Sequence, residues 1–434
     1  MTIATRTHQP ENPLLVRSIQ ISLLIIVALM PFHAFLSVWL GSITHHQAII
    51  QAWKEALLGL TSLVTIVLGI RGRKRLNRLH QPWVLAAGAF ALIAGLVTLI
   101  AQPPLTAIAF GLKTDLEFIL AGVLALMVST PKFHQRLVIA VLVGAALVTG
   151  FDIIQIFLLP PDFLTHFGYG PDTIVPFQRI AAGTNALRFP STLGGPNQLG
   201  TYLILPLCLS LLIAIRHRRP WLLILTAACA VSLFYTFSRA AWLGALLALC
   251  CTGFALVPSR FKKHLVLALG ATAVAALLAL PIALKPNGAL QYFLLHSSVA
   301  THDQSNLSDS QHLSSLKYGV TADTQTPLGH GLGTAGPATF HASSTNIIED
   351  YYLQIGYETG LLGLLAFVIM IVLLLKTLLA QAASHLLASA SAAAILGISL
   401  AALVLPAWTD SSTALIVLIC AGATAGASLK PDYV

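Results

Sequence analysis

Apolar runs of about 20 residues recur along almost the whole chain, and they constrain its fold more than any other feature. A helix of that length crosses about 30 Å of hydrocarbon, because each residue adds about 1.5 Å. Of the 434 residues, 56% are hydrophobic and only 9% are charged, against roughly 25% charged in a typical soluble domain. The sequence therefore predicts an all-α, polytopic integral membrane protein in which residues 1–434 form a single membrane domain.

The apolar windows and the breaks between them predict about twelve transmembrane helices. Their approximate ranges are 18–40, 55–70, 83–101, 105–129, 137–159, 198–215, 220–236, 240–257, 264–284, 352–375, 385–407 and 412–429. The first run follows Arg6 and Arg17, as in a signal peptide, but a signal peptide has an apolar stretch of only about 7–15 residues. We therefore expect the first run to be an uncleaved span.

Lysine and arginine residues collect in every second loop between these spans. With both termini, that side carries 17 of the 24 basic residues, and the positive-inside rule makes it the cytoplasm. The net charge of +9 is thus a topology signal, and the basic runs lack the interleaved aromatic residues typical of nucleic-acid binding. We expect a multi-pass protein of the cytoplasmic membrane with both termini inside and no nucleic-acid partner.

Two extracytoplasmic loops are long. The first spans residues 160–196, and the second spans residues 285–349, between predicted spans nine and ten. Loops of this length are uncommon unless they are functional or disordered. We expect the second loop to contain a short helix near Ser310 to Val320 and to pack back onto the membrane domain.

Neither a metal site nor a nucleotide-binding loop is indicated. The five cysteines lie in apolar runs without a CxxC pair, and the histidines of the second loop lack the HExxH spacing of zinc sites. Gly331 to Gly336 matches GxGxxG by letter, but the preceding strand and the following helix of a dinucleotide site are missing. We interpret this segment as a flexible surface turn and expect no cofactor and no metal.

Arg239 is the clearest candidate for chemistry, because it lies in a tight outer turn between two apolar spans. A charge at membrane depth costs roughly 2.5–3.5 kcal/mol, so it usually has a purpose. An arginine that snorkels to the interface explains it. A clamp for an anion explains it as well, since the five guanidinium donors suit phosphate oxygens.

A second candidate segment opens predicted span six, from Arg188 to Gly200. Its glycines would let backbone amides approach a ligand, Asn197 is a good N-cap, and a helix N-terminus favours an anion. A simple capped turn is the alternative. A third segment carries Glu349 and Asp350 before span ten, where carboxylates favour the helix dipole, and Glu358 in its first turns.

These three segments, in this order, resemble the hallmark stretches of the O-antigen ligase and Wzy-type polymerase family of membrane glycosyltransferases. The similar stretches are Arg188 to Tyr202, Ser238-Arg239 at the start of a span, and the end of the second loop with the start of span ten. The resemblance implies an enzyme that transfers a glycan from a polyprenyl-diphosphate donor, such as an undecaprenyl-diphosphate-linked glycan, to a glycan or glycolipid acceptor at the outer face. It implies no metal and no nucleotide sugar.

The resemblance also implies roles for individual residues. Arg239 and Glu349 are the expected catalytic residues: Arg239 would stabilise the charge on the departing diphosphate, and Glu349 would deprotonate the acceptor hydroxyl. The residues expected to bind the diphosphate or the glycan are Arg188, Asn197, Lys113, His312 and Glu358.

The chain departs from the family pattern at two places. Ligases of the family typically have a His-Asn pair where this chain has Glu349-Asp350, and His312 stands roughly where a second loop arginine is usual. These differences favour a repeat-unit polymerase of the same family, which is the alternative to a ligase, or a branch of the family that acts on another acceptor. A transporter or flippase is the further alternative, and it requires ionisable residues near the midplane, where the chain offers few candidates.

Overall fold

The computed structural model describes residues 12–71, 73–180, 187–257, 260, 305–337 and 348–426. In chain order its α-helices are α1 (Pro13–Leu29), α2 (His33–Thr44), α3 (Gln47–Gln51), α4 (Trp53–Arg71), α5 (Arg73–Leu76), α6 (Pro82–Ala101), α7 (Leu105–Gly111), α8 (Glu117–Met127), α9 (Pro131–Phe157), α10 (Pro196–Arg216), α11 (Leu222–Tyr235), α12 (Arg239–Leu256), α13 (Ser305–Gln325), α14 (Tyr351–Gln381), α15 (Leu386–Ala401) and α16 (Ser411–Ala425).

Shorter elements connect these helices. The 3₁₀ turns are Met30–Phe32, Asn77–His80, Phe163–Phe167 and Ala407–Thr409, and Leu112–Leu116 is a π-helical turn between α7 and α8. The strands of the described residues are β1 (Gln178–Arg179) and β2 (Leu187–Arg188), which pair antiparallel with Gln178 opposite Arg188.

Seven helical stretches of the described chain are long and apolar enough to cross a membrane. They are Pro13–Thr44, Trp53–Arg71, Pro82–Ala101, Pro131–Phe157, Pro196–Arg216, Arg239–Leu256 and Tyr351–Gln381, and α11, α15 and α16 are shorter apolar helices. The fold is therefore that of a helical membrane protein. Each predicted span overlaps a helix except 264–284, which lies outside the described residues, so the count of twelve stays a prediction.

The start of several helices follows from local sequence. Proline occupies the first turn of α1, α6, α9 and α10, where its missing N–H costs nothing. Thr130 caps α9 by accepting a hydrogen bond from the Phe133 N–H. Asp350 and Asp410 cap α14 and α16 in the same way. The carboxylate before predicted span ten thus belongs to the start of that helix.

Outward-facing leucines show which surface of the bundle is apolar. On α6, Leu85, Leu92 and Leu99 follow one another at every seventh residue and are 58%, 63% and 72% exposed. Such a stripe lies on one helix face, and lipid tails cover it without penalty. Helices α10 and α16 are instead buried along almost their whole length and form the centre of the bundle.

Two pairs of glycines let central helices touch backbone to backbone. A Cβ on Gly422 of α16 would overlap the carbonyl group of Gly122 on α8, and Gly397 of α15 stands in the same relation to Gly244 of α12. Small residues at such contacts are typical of helix packing in membranes. These contacts fix α12, which starts with Arg239, against the core.

The second long loop contributes α13, which packs against α14. Gly319 of α13 lies against the side chain of Leu353, and Ala322 joins a small apolar cluster with Tyr357. The expected helix near Ser310 to Val320 is confirmed, and it extends over the whole of α13. The first long loop packs on α2, where Leu164 and Tyr169 form a cluster with Val38.

Candidate substrate-binding and catalytic site

Arg188 joins two of the three candidate segments. Its Nε donates a hydrogen bond to the Thr236 carbonyl at 2.6 Å, and its Nη2 donates to Asn197 Oδ1 at 2.7 Å. The guanidinium group of Arg188, which lies on β2, is therefore bound by the end of α11 on one side and by the first turn of α10 on the other. The structure thus brings Arg188 and Asn197 together.

The turn between α11 and α12 places Arg239 at the same location. Phe237 adopts a left-handed φ of 49°, which is uncommon for a residue other than glycine. The Ser238 N–H donates to Thr236 Oγ1 at 3.2 Å, and the Trp242 indole N–H donates to the Leu233 carbonyl at 2.8 Å. These bonds close the turn and make Arg239 the first residue of α12.

The close approach of α10 and α12 completes this arrangement. A Cβ on Gly200 would overlap that of Ala241, so glycine at this position lets the two helix starts converge. Arg188 and Arg239 are both half-buried. Burial, together with the positive charge of Arg239, lowers the pKa of Arg188 to about 10. The two guanidinium groups therefore concentrate positive charge at this site.

Asn197 does not cap α10, contrary to expectation. The helix begins at Pro196, with Gly195 as the N-cap residue, because proline suits the first helical position. Asn197 lies inside the first turn, and its side-chain oxygen accepts from Arg188. Both of these partners of Arg188, the Thr236 carbonyl and the Asn197 amide, are neutral, so they orient the guanidinium without neutralising its charge.

Glu349 lies where α13 meets the start of α14. Its backbone N–H donates to Ser315 Oγ of α13 at 3.1 Å, and its side chain is half-buried. The next residue, Asp350, accepts from the N–H groups of Tyr352 and Leu353 and so begins the helix. Glu349 is therefore held by its backbone at a helix junction.

Lys113 belongs to a group of four charges. Its Nζ lies 3.1 Å from Glu55 Oε1, which is also 2.8 Å from Lys54 Nζ. Lys54 is fully buried and lies 2.6 Å from Glu117 Oε2. Sequence reasoning missed this network, although Lys54 and Glu117 both interrupt apolar runs. Lys113 thus has a carboxylate partner within the protein.

Glu358 is fully buried and fastens the Gly331–Gly336 loop to α14. Its Oε2 accepts from the Gly333 N–H at 2.9 Å, and its Oε1 accepts from the Ala335 N–H at 3.1 Å. It also shares a hydrogen bond with Asp115 of the π-helical turn. The interpretation of this loop as a flexible surface turn is wrong, because its amides bind a buried carboxylate, and Leu332 and Ala335 are at most 1% exposed.

The structure describes the second-loop histidines only in part. His312 is part of α13, and its side chain lies outside the described part of the structure, as do residues His296, His302 and His341. Within the described residues, no group of three or more histidine, cysteine, aspartate or glutamate side chains is arranged to hold a metal ion.

Comparison with known families identifies the segment that contains the arginine turn and the start of α14. Residues 223–368 match the family model described as O-antigen ligase. The chain carries a domain of the O-antigen ligase family. The resemblance found in the sequence is thereby confirmed. A search of curated proteins gave no match.

The O-antigen ligase domain contains Arg239, Glu349 and Glu358. Arg188 and Asn197 precede it in the chain, and Arg188 reaches it through its hydrogen bond to the Thr236 carbonyl. The O-antigen ligase domain and the segment before it therefore build one positive site together.

Proposed function

We propose that the protein transfers a glycan from a polyprenyl-diphosphate donor to a hydroxyl group of a glycan or glycolipid acceptor. The observation that carries this proposal is the convergence of Arg188 and Arg239 beside the first turn of α10. Two guanidinium groups carry ten N–H donors between them, and Arg188 gives two of its five to the Thr236 carbonyl and to Asn197. The planar shape of a guanidinium group suits the oxygens of a diphosphate.

The position of Arg239 supports a role for it with an anion. A cation at the first position of a helix opposes the helix dipole, which costs about 0.3–1 kcal/mol at an exposed site. The neighbouring Arg188 adds repulsion between like charges. A bound diphosphate relieves both costs, so the arrangement favours binding over stability.

In the proposed reaction, the acceptor oxygen forms a bond to the anomeric carbon of the donor sugar, and the bond from that carbon to the diphosphate oxygen breaks. The electron pair stays on the diphosphate, where Arg239 and Arg188 stabilise the developing charge. The acceptor proton passes to a base. We assign that base to Glu349, which is half-buried at the α13–α14 junction.

The support for substrate binding differs among the three other expected binding residues, Lys113, His312 and Glu358. Lys113 is 28% exposed and can reach a glycan, although Glu55 already compensates its charge. Glu358 shapes the site through the loop that it fastens. For His312, binding to the diphosphate or the glycan stays a prediction from the sequence.

The location proposed for the reaction follows from loop charges. With the basic loops in the cytoplasm, the starts of α10, α12 and α14 all lie at the outer face of the cytoplasmic membrane. A polyprenyl-linked donor in the outer leaflet can reach them there. Ligase and polymerase differ only in the acceptor, and gel analysis of a deletion strain separates them: a lost polymerase leaves single repeats on the acceptor, and a lost ligase leaves lipid-linked polymer.

Replacement of the proposed catalytic residues tests the reaction. Arg239→Ala and Glu349→Gln, expressed at normal membrane levels in a deletion strain, should fail to restore the surface glycan. Arg219→Ala removes an exposed arginine at the opposite end of the bundle and serves as the control. Wild-type amounts of full-length glycan with either active-site variant would refute the proposal.

A further inference from the structure

A cavity of about 180 Å³ lies between α13 and the start of α14. From α13 it is lined by Tyr318, Thr321, Ala322 and Gln325, and His330 and Tyr357 form its other wall. The four α13 residues have the spacing i, i+3, i+4 and i+7, so they occupy one face of that helix. The cavity is smaller than the roughly 300–1,000 Å³ of sites for drug-sized ligands, so it suits a single ring.

Three of the residues that line the cavity, Tyr318, His330 and Tyr357, carry aromatic rings. The His330 ring stacks on Tyr357, with a centroid distance of 4.0 Å and an interplanar angle of 12°. Tyr318 stands 6.5 Å from Tyr357 and is 43% exposed at the mouth. Aromatic side chains provide large apolar faces together with a polar tip. Such faces can cover the C–H side of a ring while the tip bonds a hydroxyl group.

Polar groups at the edge complete a hydrogen-bonding set. His330 Nδ1 lies 3.2 Å from the Tyr357 carbonyl, which can only accept, so Nδ1 carries the proton. In the neutral ring Nε2 is then an acceptor. Gln325 adds a donor and an acceptor, and Thr321 adds a hydroxyl group.

Among the described residues, no carboxylate, lysine or arginine side chain lines the cavity. Asp323, the nearest acid on α13, instead packs against Gly356 of α14 and is 5% exposed. A lining of this kind offers little to a phosphate or a metal ion. It matches a neutral ring that carries several hydroxyl groups.

We propose that this cavity is a subsite for one pyranose unit of the acceptor glycan. The assignment to the acceptor rests on the proposed function, in which Glu349 takes the acceptor proton. Glu349 is bound to Ser315, and Tyr318 follows one turn later on α13, at a rise of about 4.5 Å. The cavity therefore begins about one turn along α13 from the residue that anchors the backbone of the proposed base.

Ligand-detected NMR tests the subsite without requiring transfer. The protein in lipid nanodiscs is titrated with oligosaccharides released by mild acid from the surface glycan of the source cells. The wild-type protein should give saturation-transfer signals from one sugar unit. Tyr318→Ala and Gln325→Ala should each weaken binding about tenfold, because each removes a wall contact at the exposed mouth.

Two further variants keep the outcomes distinct. Thr324→Ala removes an exposed hydroxyl on α13 that does not line the cavity, and it should bind like the wild type. Arg239→Ala should abolish transfer yet still bind the free oligosaccharide. Unchanged binding by Tyr318→Ala and Gln325→Ala, or no binding by the wild type, would overturn the subsite. Retained transfer by Arg239→Ala would instead count against the proposed reaction.

Discussion

The carboxylate of Glu358 accepts a hydrogen bond from the backbone N–H of Gly333 at 2.9 Å, deep inside the protein. The same carboxylate accepts from Ala335 and shares a hydrogen bond with Asp115, so three segments distant in sequence meet at one side chain. A buried polar group is tolerated only when it has such partners. Glu358 therefore holds the loop after α13 against both α14 and the π-helical turn that carries Lys113.

We expect Glu358→Gln to destabilise the protein. The amide nitrogen that replaces one oxygen cannot accept from a backbone N–H, so at least one donor of the loop is left unsatisfied. The cost of such a group is about 1–3 kcal/mol. Thermal unfolding in nanodiscs should show a lower midpoint for this variant than for Asp172→Asn, which changes an exposed carboxylate. Equal midpoints would show that the loop does not depend on Glu358.

A substitution within the Gly331–Gly336 loop should destabilise the protein as a substitution of Glu358 does. Gly333 has a φ of 76°, and a Cβ there would overlap the carbonyl group of Ala107 on α7. We expect Gly333→Ala to cost more than about 1 kcal/mol, because the new side chain meets both a strained φ and backbone atoms. Limited proteolysis of the loop reports the loss.

Gly88→Ala is the matched control for that substitution. Gly88 lies within α6, and a Cβ added there has no neighbour within 4 Å. Alanine has the higher helix propensity, so this variant should be as resistant to proteolysis as the wild type. Similar cleavage of the two variants would contradict the account of the loop.

The helices could be predicted from the sequence because lipid imposes one rule on all of them. A spanning segment must satisfy its own backbone hydrogen bonds, so an apolar run of sufficient length becomes a helix. The predicted span at 83–101 accordingly overlaps α6 (Pro82–Ala101). The predicted span at 105–129 is harder to predict from the sequence, because Lys113, Asp115 and Glu117 interrupt its apolar run. The structure has a π-helical turn within this run, at Leu112–Leu116.

The candidate site could be predicted only in part. The approach of Arg188 to Asn197 follows from their short separation in the chain, but the contact of Arg188 with the Thr236 carbonyl joins residues 48 positions apart. The role of Glu358 cannot be predicted from the sequence, because two of its partners are the backbone amides of Gly333 and Ala335, which carry no residue signature. Sequence patterns reveal which side chains are unusual, whereas the fold decides which of them meet.

The docking of α13 on α14 should weaken as the pH rises. Burial, together with the negative charge of the nearby Asp350 carboxylate, raises the pKa of Asp323 to about 7. When α13 opens, Asp323 returns to a pKa near 3.8. The docked state therefore binds the proton more tightly between these values, so its stability is complete below about pH 4 and is lost as the pH approaches 7.

Hydrogen exchange of the α13 amides measures this dependence. A single linked proton changes the opening equilibrium by up to about tenfold per pH unit, after correction for the intrinsic exchange rate. In Asp323→Asn the side chain no longer titrates, and the corrected protection should stay level over the same range. A slope in the variant equal to that in the wild type would assign the effect to another group.

The substitution Asn197→Asp changes the net charge of the site formed by Arg188 and Arg239 while it keeps the geometry of that site. The carboxylate is similar in size to the amide and can still accept from Arg188 Nη2, now as a charge-assisted bond. The helix start and the Arg188 conformation should persist, and the negative charge near the N-terminus of α10 favours the folded state.

The same charge would compete with a bound diphosphate. We therefore expect Asn197→Asp to keep the thermal stability and membrane level of the wild type and to lose glycan transfer at least tenfold. Asn197→Ser, a neutral substitution at the same position, should lose less. The comparison uses the amount of surface glycan restored in a deletion strain. If the aspartate variant transferred glycan as well as the serine variant, the positive charge of this site would not serve the reaction, and diphosphate binding would have to lie elsewhere in the protein.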